Sequence, residues 1–457
     1  MNKKHFLLLV FGFAMVLFAC QKVPDEITEN MQSSPSNVSS NDEYTKGDLR
    51  IISSYNGIIA SAYACTDDGC YEIYYRSRGD GNIFYYDYAT EQLVYLFNQT
   101  NSDHLDETDS SWLSSTAGGC YPMAVDDKLY LFKLNTPGFI DKLGDMGKGY
   151  ILQMNLDGSD RRVLANIDDN EYISGCAVAY DGKFLYYLSS LLSDDGKESA
   201  QSIIRVDIRS GEKRILKELD AAERHFIVGA NGGSLVLKHI ANPVSFSSMG
   251  NNDNWEEQYK NQKHIISIYS VESSNEKEVY SWKQDEINEM LYQDQLIFWS
   301  QESKKIESIN IFDLSRRELT EQPLADETGK VFDYASLYSD FYDDHILFEA
   351  GYLNESAPEE EVSDEIKRYA LDMDTLEIRE LTLKNVDGDI IIHGEGANDF
   401  LVQIGKKEIE TLDFDSDGEA YQAPLLVRLN ALISKEDYWN NQGNYRPFKN
   451  LVYENVK

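Results

Sequence analysis

The chain has 457 residues, with 79 acidic side chains against 42 lysines and arginines, and a net charge of −37. A nucleic-acid-binding protein needs lysines and arginines to displace counterions from phosphates, so this balance argues against nucleic acid as a partner. It argues equally against contact between the folded body and an anionic lipid surface.

Residues 1–19 have the pattern of a bacterial lipoprotein signal peptide. Lys3 and Lys4 precede a short apolar run, which ends in the sequence Leu17-Phe18-Ala19-Cys20. A transmembrane helix needs about 20 apolar residues, and this run is shorter. A charged start, a short apolar centre and a small residue before the cleavage site are typical of secretory signals. We therefore expect acylation of Cys20, for example by palmitate, and a location on the extracytoplasmic side of the cell membrane.

Residues 20–48 hold few large apolar side chains, so they are predicted to form a flexible tether that follows the lipidated Cys20. The membrane would then be contacted only through the lipid anchor. Residues 49–457 are predicted to form one domain.

A strand-turn-strand pattern recurs along that domain, with a polar residue followed nine positions later by an apolar one. Clear copies begin at Asp87, Asn155, Asp207, Asn310 and Asp372, and looser copies begin at Ser270 and Asn430. Four-stranded blades of about 40 to 50 residues give such a period. The sequence therefore predicts an all-β fold, a single β-propeller of seven four-stranded blades, with six or eight blades as alternatives.

A second tight turn precedes each copy, as in the segments around Asp126-Asp127 and Gly232-Gly233. Asp, Asn and Gly adopt two-residue hairpin turns at low cost. With this register, the turns between strands A and B and between C and D are short. The long, acidic connections then share the opposite face, which is commonly the binding face of a repeat protein; they are residues 99–119, 135–148, 191–200, 241–263, 351–365 and 405–423.

Four cysteines follow Cys20. Cys65 and Cys70 bracket the first A–B turn, so a disulfide across that hairpin is predicted, while Cys120 and Cys176 occupy matching positions in adjacent blades and could form a second bridge. The alternative is that they are buried free cysteines. No histidines accompany them at zinc-ligand spacing.

Asp413, Asp415 and Asp417, followed by Gly418, form half of a calcium-binding motif. The twelfth position of that motif, normally Glu, is Pro424 here. Calcium is therefore a weak candidate beside an acidic surface turn, and no other cofactor is predicted.

Four aromatic residues lie within the long connections: Trp112, Phe139, Trp255 and Tyr259. Exposed aromatic side chains in polar loops can stack on a sugar or anchor a protein partner. The alternative is that they hold the loops on the body.

Residues 149–167, GYILQMNLDGSDRRVLANI, resemble a TolB-type propeller repeat, in which a strand ends in an Asp-Gly-Ser turn and returns. The resemblance implies protein–protein contacts in the cell envelope. We therefore expect a binding module for an envelope protein or glycan. The alternative is a polysaccharide-active enzyme, a glycoside hydrolase or lyase, with carboxylates at the propeller funnel. The sequence contains no G-x-S-x-G motif and predicts no specific catalytic residue.

Overall fold

The computed structural model describes a seven-bladed β-propeller. The residues described are 48–53, 62–75, 80–96, 102, 104, 106, 108–114, 119–135, 148–168, 170–192, 198–241, 255–283, 287–354, 361–362, 366–385, 388–414 and 420–450. The predicted signal peptide, Cys20 and nearly all of the predicted tether therefore lie outside the described part of the chain.

Each blade is an antiparallel sheet of four strands, called A to D in chain order. The strands up to the end of blade 3 are β1 (Arg50–Ile51), then blade 1 with β2 (Tyr63–Cys65), β3 (Gly69–Tyr75), β4 (Gly81–Asp87) and β5 (Gln92–Tyr95), the extra strand β6 (Trp112–Leu113), blade 2 with β7 (Cys120–Val125), β8 (Lys128–Lys133), β9 (Tyr150–Asn155) and β10 (Arg162–Asn166), and blade 3 with β11 (Glu171–Tyr180), β12 (Phe184–Leu192), β13 (Glu198–Asp207) and β14 (Lys213–Glu218).

Blades 4 to 7 continue the series. Blade 4 has β15 (Glu223–Asn231), β16 (Ser234–Ala241), helix α1 (Trp255–Lys260), β17 (Lys263–Ser270) and β18 (Glu276–Lys283), and blade 5 has β19 (Ile287–Tyr292), β20 (Gln295–Ser300), β21 (Lys305–Asn310) and β22 (Arg316–Glu318). Blade 6 has β23 (Tyr334–Tyr342), β24 (His345–Gly351), the short pair β25 (Leu353–Asn354) and β26 (Glu361–Val362), β27 (Lys367–Asp372) and β28 (Ile378–Leu381). The short pair β29 (Lys384–Asn385) and β30 (Gly388–Asp389) precedes blade 7, which has β31 (Ile391–Glu395), β32 (Asp399–Phe414), β33 (Ala420–Ser434), helix α2 (Lys435–Trp439) and β34 (Arg446–Pro447), and the last strand is β35 (Lys449–Asn450).

The polar residues of the repeat hold the C–D turns. One carboxylate oxygen of Asp207 accepts the backbone N–H groups of Arg209 and Ser210, both at 2.9 Å. Asp372 does the same for the two residues at matching positions of its turn. An Asp or Asn side chain that accepts hydrogen bonds from the next turn is a common way to fix a tight reversal. At Asp207 and Asp372, the repeat pattern therefore predicts the C–D turns correctly.

The core lies between the blades rather than at one centre. Seven clusters of buried side chains each join two neighbouring blades. Tyr130, Tyr186, Tyr187 and Tyr269 are among the largest fully buried side chains. The abundant strand tyrosines are therefore largely packing residues, consistent with the preference of aromatic side chains for sheet surfaces.

The ring closes between blades 7 and 1. Strand β35 pairs in parallel with β5, the outer strand of blade 1. At the inner edge, the structure joins Cys65 and Cys70 of blade 1 by a disulfide. A Cβ atom placed on Gly394 of blade 7 would run into the Sγ atom of Cys65. The junction therefore needs a residue without a side chain at position 394.

Two predictions about the repeat and its connections are corrected by the structure. Asn430 does not begin a C–D turn, because it lies within β33 opposite Gln403. The turn begins instead at Ser434, whose side chain caps α2 by accepting the Asp437 N–H. Residues 405–423 are not a loop: most of them extend β32 and β33 into a hairpin.

The second predicted disulfide does not form at Cys120, which is a buried free cysteine. The side chain of Cys176 lies outside the described residues. Cys120 packs within the apolar cluster between blades 1 and 2, so it serves there as a small core residue.

We expect Gly394→Ala to lower the free energy of unfolding by about 1–3 kcal/mol, because overpacking a close contact forces the neighbouring backbone apart. Chemical denaturation measures the change. Gly233→Ala is the matched control, since a Cβ atom there meets nothing within 4 Å. Equal stability of the two variants would contradict the close packing of blades 7 and 1.

Candidate functional site

The two faces of the propeller differ in construction. The A–B turns, such as 126–127, 232–233 and 343–344, contain two or three residues. Asp343 and Asp344 have φ values of 49° and 56°, as a two-residue hairpin turn requires. We call the side formed by the A–B and C–D turns the short-turn face; apart from the connection that contains α2, its turns are short.

The opposite side, formed by the B–C and D–A connections, is the long-loop face. It carries the connections around 134–149, 242–262 and 319–333, and helix α1. The prediction that length variation falls mainly on one face is therefore confirmed.

Residues 48–53 lie in the central channel. Strand β1 pairs antiparallel with β11, the A strand of blade 3. The A strands line the channel, since neighbouring blades meet along them, as β2 does with β7 and β31. The Leu49 N–H donates to the Gly232 carbonyl at 2.9 Å, and the Ile52 N–H donates to the Val178 carbonyl at 2.9 Å.

This segment starts at the short-turn face. Gly232 belongs to the A–B turn of blade 4, and the Arg50 guanidinium lies 2.7 Å from the carboxylate of Asp126, in the A–B turn of blade 2. From there the chain runs along β11 towards the long-loop face. Whatever precedes Asp48 therefore joins the propeller on the short-turn side.

A two-stranded arm projects from blade 7 on the long-loop face. It is formed by residues 405–414 of β32 and 420–429 of β33, paired from Gly405 and Leu429 out to Phe414 and Ala420. At about 3.3 Å per residue, the arm extends for about 30 Å. Leu426 is 60% exposed and Tyr421 is 47% exposed. The arm thus carries apolar surface away from the body.

A buried polar cluster lies at the base of the arm, between blades 7 and 1. The hydroxyl groups of Tyr63 and Tyr86 donate to the two carboxylate oxygens of Glu72, at 2.7 and 2.6 Å. The Asn430 amide donates to the Tyr86 hydroxyl at 2.8 Å. Arg428 Nη1 lies 3.6 Å from Glu72 Oε1 and supplies the compensating charge.

Burial shifts the titration of this cluster. Burial raises the pKa of Glu72, and the hydrogen bonds from Tyr86 and Tyr63 oppose that shift. His393, whose ring stacks on Tyr63 with centroids 4.2 Å apart, has its pKa lowered to about 3 by burial and by the Arg428 charge. Sequence reasoning missed this cluster, because its blade 1 and blade 7 members are more than 300 residues apart in the chain and belong to no local motif.

Trp112 does not project from the long-loop face. It lies in β6, paired with β4, and its side chain is half-buried. The indole Nε1 donates to the carboxylate of Asp80 at 3.2 Å. These contacts match the alternative interpretation, in which an aromatic residue holds its loop on the body.

The other predicted binding residues are only partly described. Tyr259 lies in α1 and is 40% exposed. Phe139 and the side chain of Trp255 lie outside the described residues. A role of these residues in binding stays a prediction.

The predicted calcium ligands are at the tip of the arm. Asp413 lies in β32 opposite Tyr421, while its side chain, together with Asp415 and Asp417, lies outside the described residues. Calcium binding there stays a prediction.

Two carboxylates begin A strands at the long-loop end of the channel. Glu171 is buried and accepts a hydrogen bond from the ammonium group of Lys213. Glu223 lies 2.6 Å from Nδ1 of His239. Both carboxylates are engaged by a neighbouring basic side chain, an arrangement that differs from a free acid and base facing a substrate.

Comparison with known proteins finds similar solved structures at low sequence identity. No protein-family model and no curated protein matches the chain. Among solved structures it is similar to an oligogalacturonate lyase from Vibrio parahaemolyticus, at 12% identity and a TM-score of 0.42, covering 85% of this chain and 92% of the lyase. It is also similar to TolB from Acinetobacter baumannii, at 13% identity and a TM-score of 0.31, covering 83% of this chain and 79% of TolB.

A third similar structure is dipeptidyl peptidase 4 from Porphyromonas gingivalis, at 10% identity and a TM-score of 0.44, covering 86% of this chain and 60% of the peptidase. Separately, within the described residues no helix is long and apolar enough to cross a membrane.

We expect His393→Phe to make the protein less sensitive to acid. A histidine with a lowered pKa in the folded state stabilises the fold above its ordinary pKa near 6.5, and that stability is lost as pH falls towards 3. The free energy of unfolding should therefore fall by about 1–3 kcal/mol less in the variant between pH 6.5 and 4.5. Denaturation curves at several pH values measure this difference, and parallel pH profiles for the two proteins would contradict it.

Proposed function

We propose that the protein is a lipid-anchored, extracytoplasmic binding module that presents its long-loop face to a protein or glycan of the cell envelope. The asymmetry of the faces is the main support. The short-turn face keeps the minimal turns of the fold, whereas most additions to the blades lie on the long-loop face. Surface loops on a rigid scaffold are where binding residues concentrate.

The path of residues 48–53 supports an orientation for that face. The segment joins the body among the A–B turns of blades 2 and 4. A tether that begins at an acylated Cys20 would therefore approach the short-turn face, and the long-loop face would point away from the membrane.

The arm is the best candidate contact surface on that face. Leu426 and Tyr421 expose apolar or aromatic surface on a projecting hairpin. They lie on opposite faces of a two-stranded sheet that extends beyond the body, so neither side chain contributes much to the core. Tyrosine is enriched among residues that dominate binding energy. The acidic composition of the long connections favours a neutral or basic partner.

The alternative, a polysaccharide-active enzyme, requires acidic side chains that face a substrate at the funnel. Glu171 and Glu223 are both engaged by basic side chains, so we propose binding rather than catalysis.

The test is a pull-down from solubilised cell envelope with the full-length protein in detergent as bait. Leu426→Ser should reduce retention of a specific protein or glycan several-fold, because it removes apolar contact area from the arm. Quantitative mass spectrometry and glycan analysis of the retained material measure the change.

Leu314→Ser is the matched control: Leu314 has a similar exposure, 52%, but lies in a C–D turn on the short-turn face. Equal loss in both variants, or loss in neither, would argue against the arm as the binding surface. Hydrolysis or elimination of an envelope polysaccharide by the wild-type protein would replace the binding module with the enzyme.

A further inference from the structure

We propose that Glu223, His225 and His239 form a binding site for a divalent transition-metal ion such as Zn²⁺ at the long-loop end of blade 4. The site is separate from the arm and does not depend on which partner the long-loop face binds. One donor atom from each of the three side chains lies within 4.8 Å of the others.

The local fold brings these side chains together. Glu223 and His225 are two residues apart in β15, so they project from the same face of the strand. His225 is the direct cross-strand partner of His239 in β16. Ile227 and Leu237, on the same face, pack against blade 3, so the three side chains lie where the blade 3–blade 4 interface reaches the channel.

The distances suit a metal centre. Oε2 of Glu223 lies 2.6 Å from Nδ1 of His239 and 3.4 Å from Nε2 of His225. Ligands bonded to zinc at about 2.0–2.1 Å in a tetrahedral site lie about 3.4 Å apart. A small rotation of the Glu223 and His239 side chains is enough to match that spacing.

Hydrogen bonding leaves both imidazoles incompletely paired. Among the described residues, Nδ1 of His225 and Nε2 of His239 are buried without a hydrogen-bond partner. Buried polar side-chain atoms are usually paired. When the ring protons occupy these two nitrogens, Nε2 of His225 and Nδ1 of His239 both present lone pairs towards the same carboxylate oxygen. Without a metal ion, the Nδ1–H group of His239 can instead donate to Oε2 of Glu223 at 2.6 Å. A bound cation would take the place of that proton and satisfy all three acceptors.

The surrounding charges favour a cation. Lys217, the nearby ammonium group, is bound by the carboxylate of Glu276, so it does not neutralise Glu223. The Glu276 carboxylate also accepts the Ser267 hydroxyl. The pocket therefore keeps the negative charge of Glu223.

The donor set indicates the class of metal. Two imidazole nitrogens and one carboxylate oxygen suit Zn²⁺, Co²⁺ or Ni²⁺ rather than Ca²⁺, which takes six to eight oxygen ligands. Three protein ligands leave at least one coordination position for water or for an oxygen atom of a bound molecule.

The experiment is a titration of the metal-free, untagged full-length protein with Co²⁺ in excess Mg²⁺, which occupies nonspecific carboxylate sites. We expect one equivalent of Co²⁺ to bind with a visible absorption band, Zn²⁺ to displace it, and Zn²⁺ to raise the Tm. Glu223→Gln and His239→Phe should each weaken the affinity at least about 10-fold, because even changes in the groups that support metal ligands have effects of this size.

His264→Phe is the matched control, because His264 lies on the opposite face of the same sheet, across from Ile240. It should bind Co²⁺ as the wild type does. Glu223→Gln preserves size and hydrogen-bonding capacity, and circular dichroism verifies its fold. No stoichiometric binding by the wild type, or an unchanged affinity in Glu223→Gln and His239→Phe, would overturn the site.

Discussion

Closure of the ring between blades 7 and 1 is the constraint on which the rest of the propeller depends. Every blade buries both of its faces against neighbours, so an open junction would expose two apolar faces at once. The chain meets this constraint with β35 at the outer edge of blade 1 and with a side-chain-free contact at Gly394 on the inner edge. Between these points, the amide of Asn430 in blade 7 donates to the hydroxyl of Tyr86 in blade 1.

The two faces of the closed ring carry different connections, and most of the long ones lie on the long-loop face. Tight A–B turns join the strands at the short-turn face. Inside the ring, β1 of the segment 48–53 pairs with β11 of blade 3. Among the described residues, the connection that contains α2 is the one long connection on the short-turn face. On the long-loop face, the arm of blade 7 continues two strands that are already paired in the sheet. Its base is supported by the polar cluster around Glu72.

The sequence predicted the features that depend on neighbouring residues. Asp207 and Asp372 bind the turns that immediately follow them, so the residue type and the structure are linked locally. Asn430 fits the same pattern as Asn310, which accepts the N–H groups of its own turn. The Asn430 amide instead donates to Tyr86 in another blade, and a single sequence does not distinguish these two uses.

The arm was predicted as a loop for a related reason. Its consecutive residues Lys406, Lys407 and Glu408 are all exposed, because both faces of a projecting hairpin meet water. A strand with one buried face shows an apolar–polar alternation, and the arm lacks it. The grouping of Glu223, His225 and His239 was also missed, since the sequence search sought closely spaced cysteine and histidine ligands, whereas these residues meet through the pairing of two strands.

Cationic side chains link neighbouring blades in this acidic chain. Many of its scarce cationic side chains reach from one blade to an acceptor in the next; examples are Arg161, Arg162, Lys217, Lys304, Arg368, Arg428, Lys435 and Arg446. Hydrogen bonds from charged donors to carbonyl and carboxylate groups are stronger than neutral ones, so these side chains fix the blades relative to each other. The chain as a whole has 79 acidic side chains against 42 lysines and arginines. For the binding module proposed above, an excess of carboxylates would favour an uncharged glycan or a basic protein surface over a polyanion.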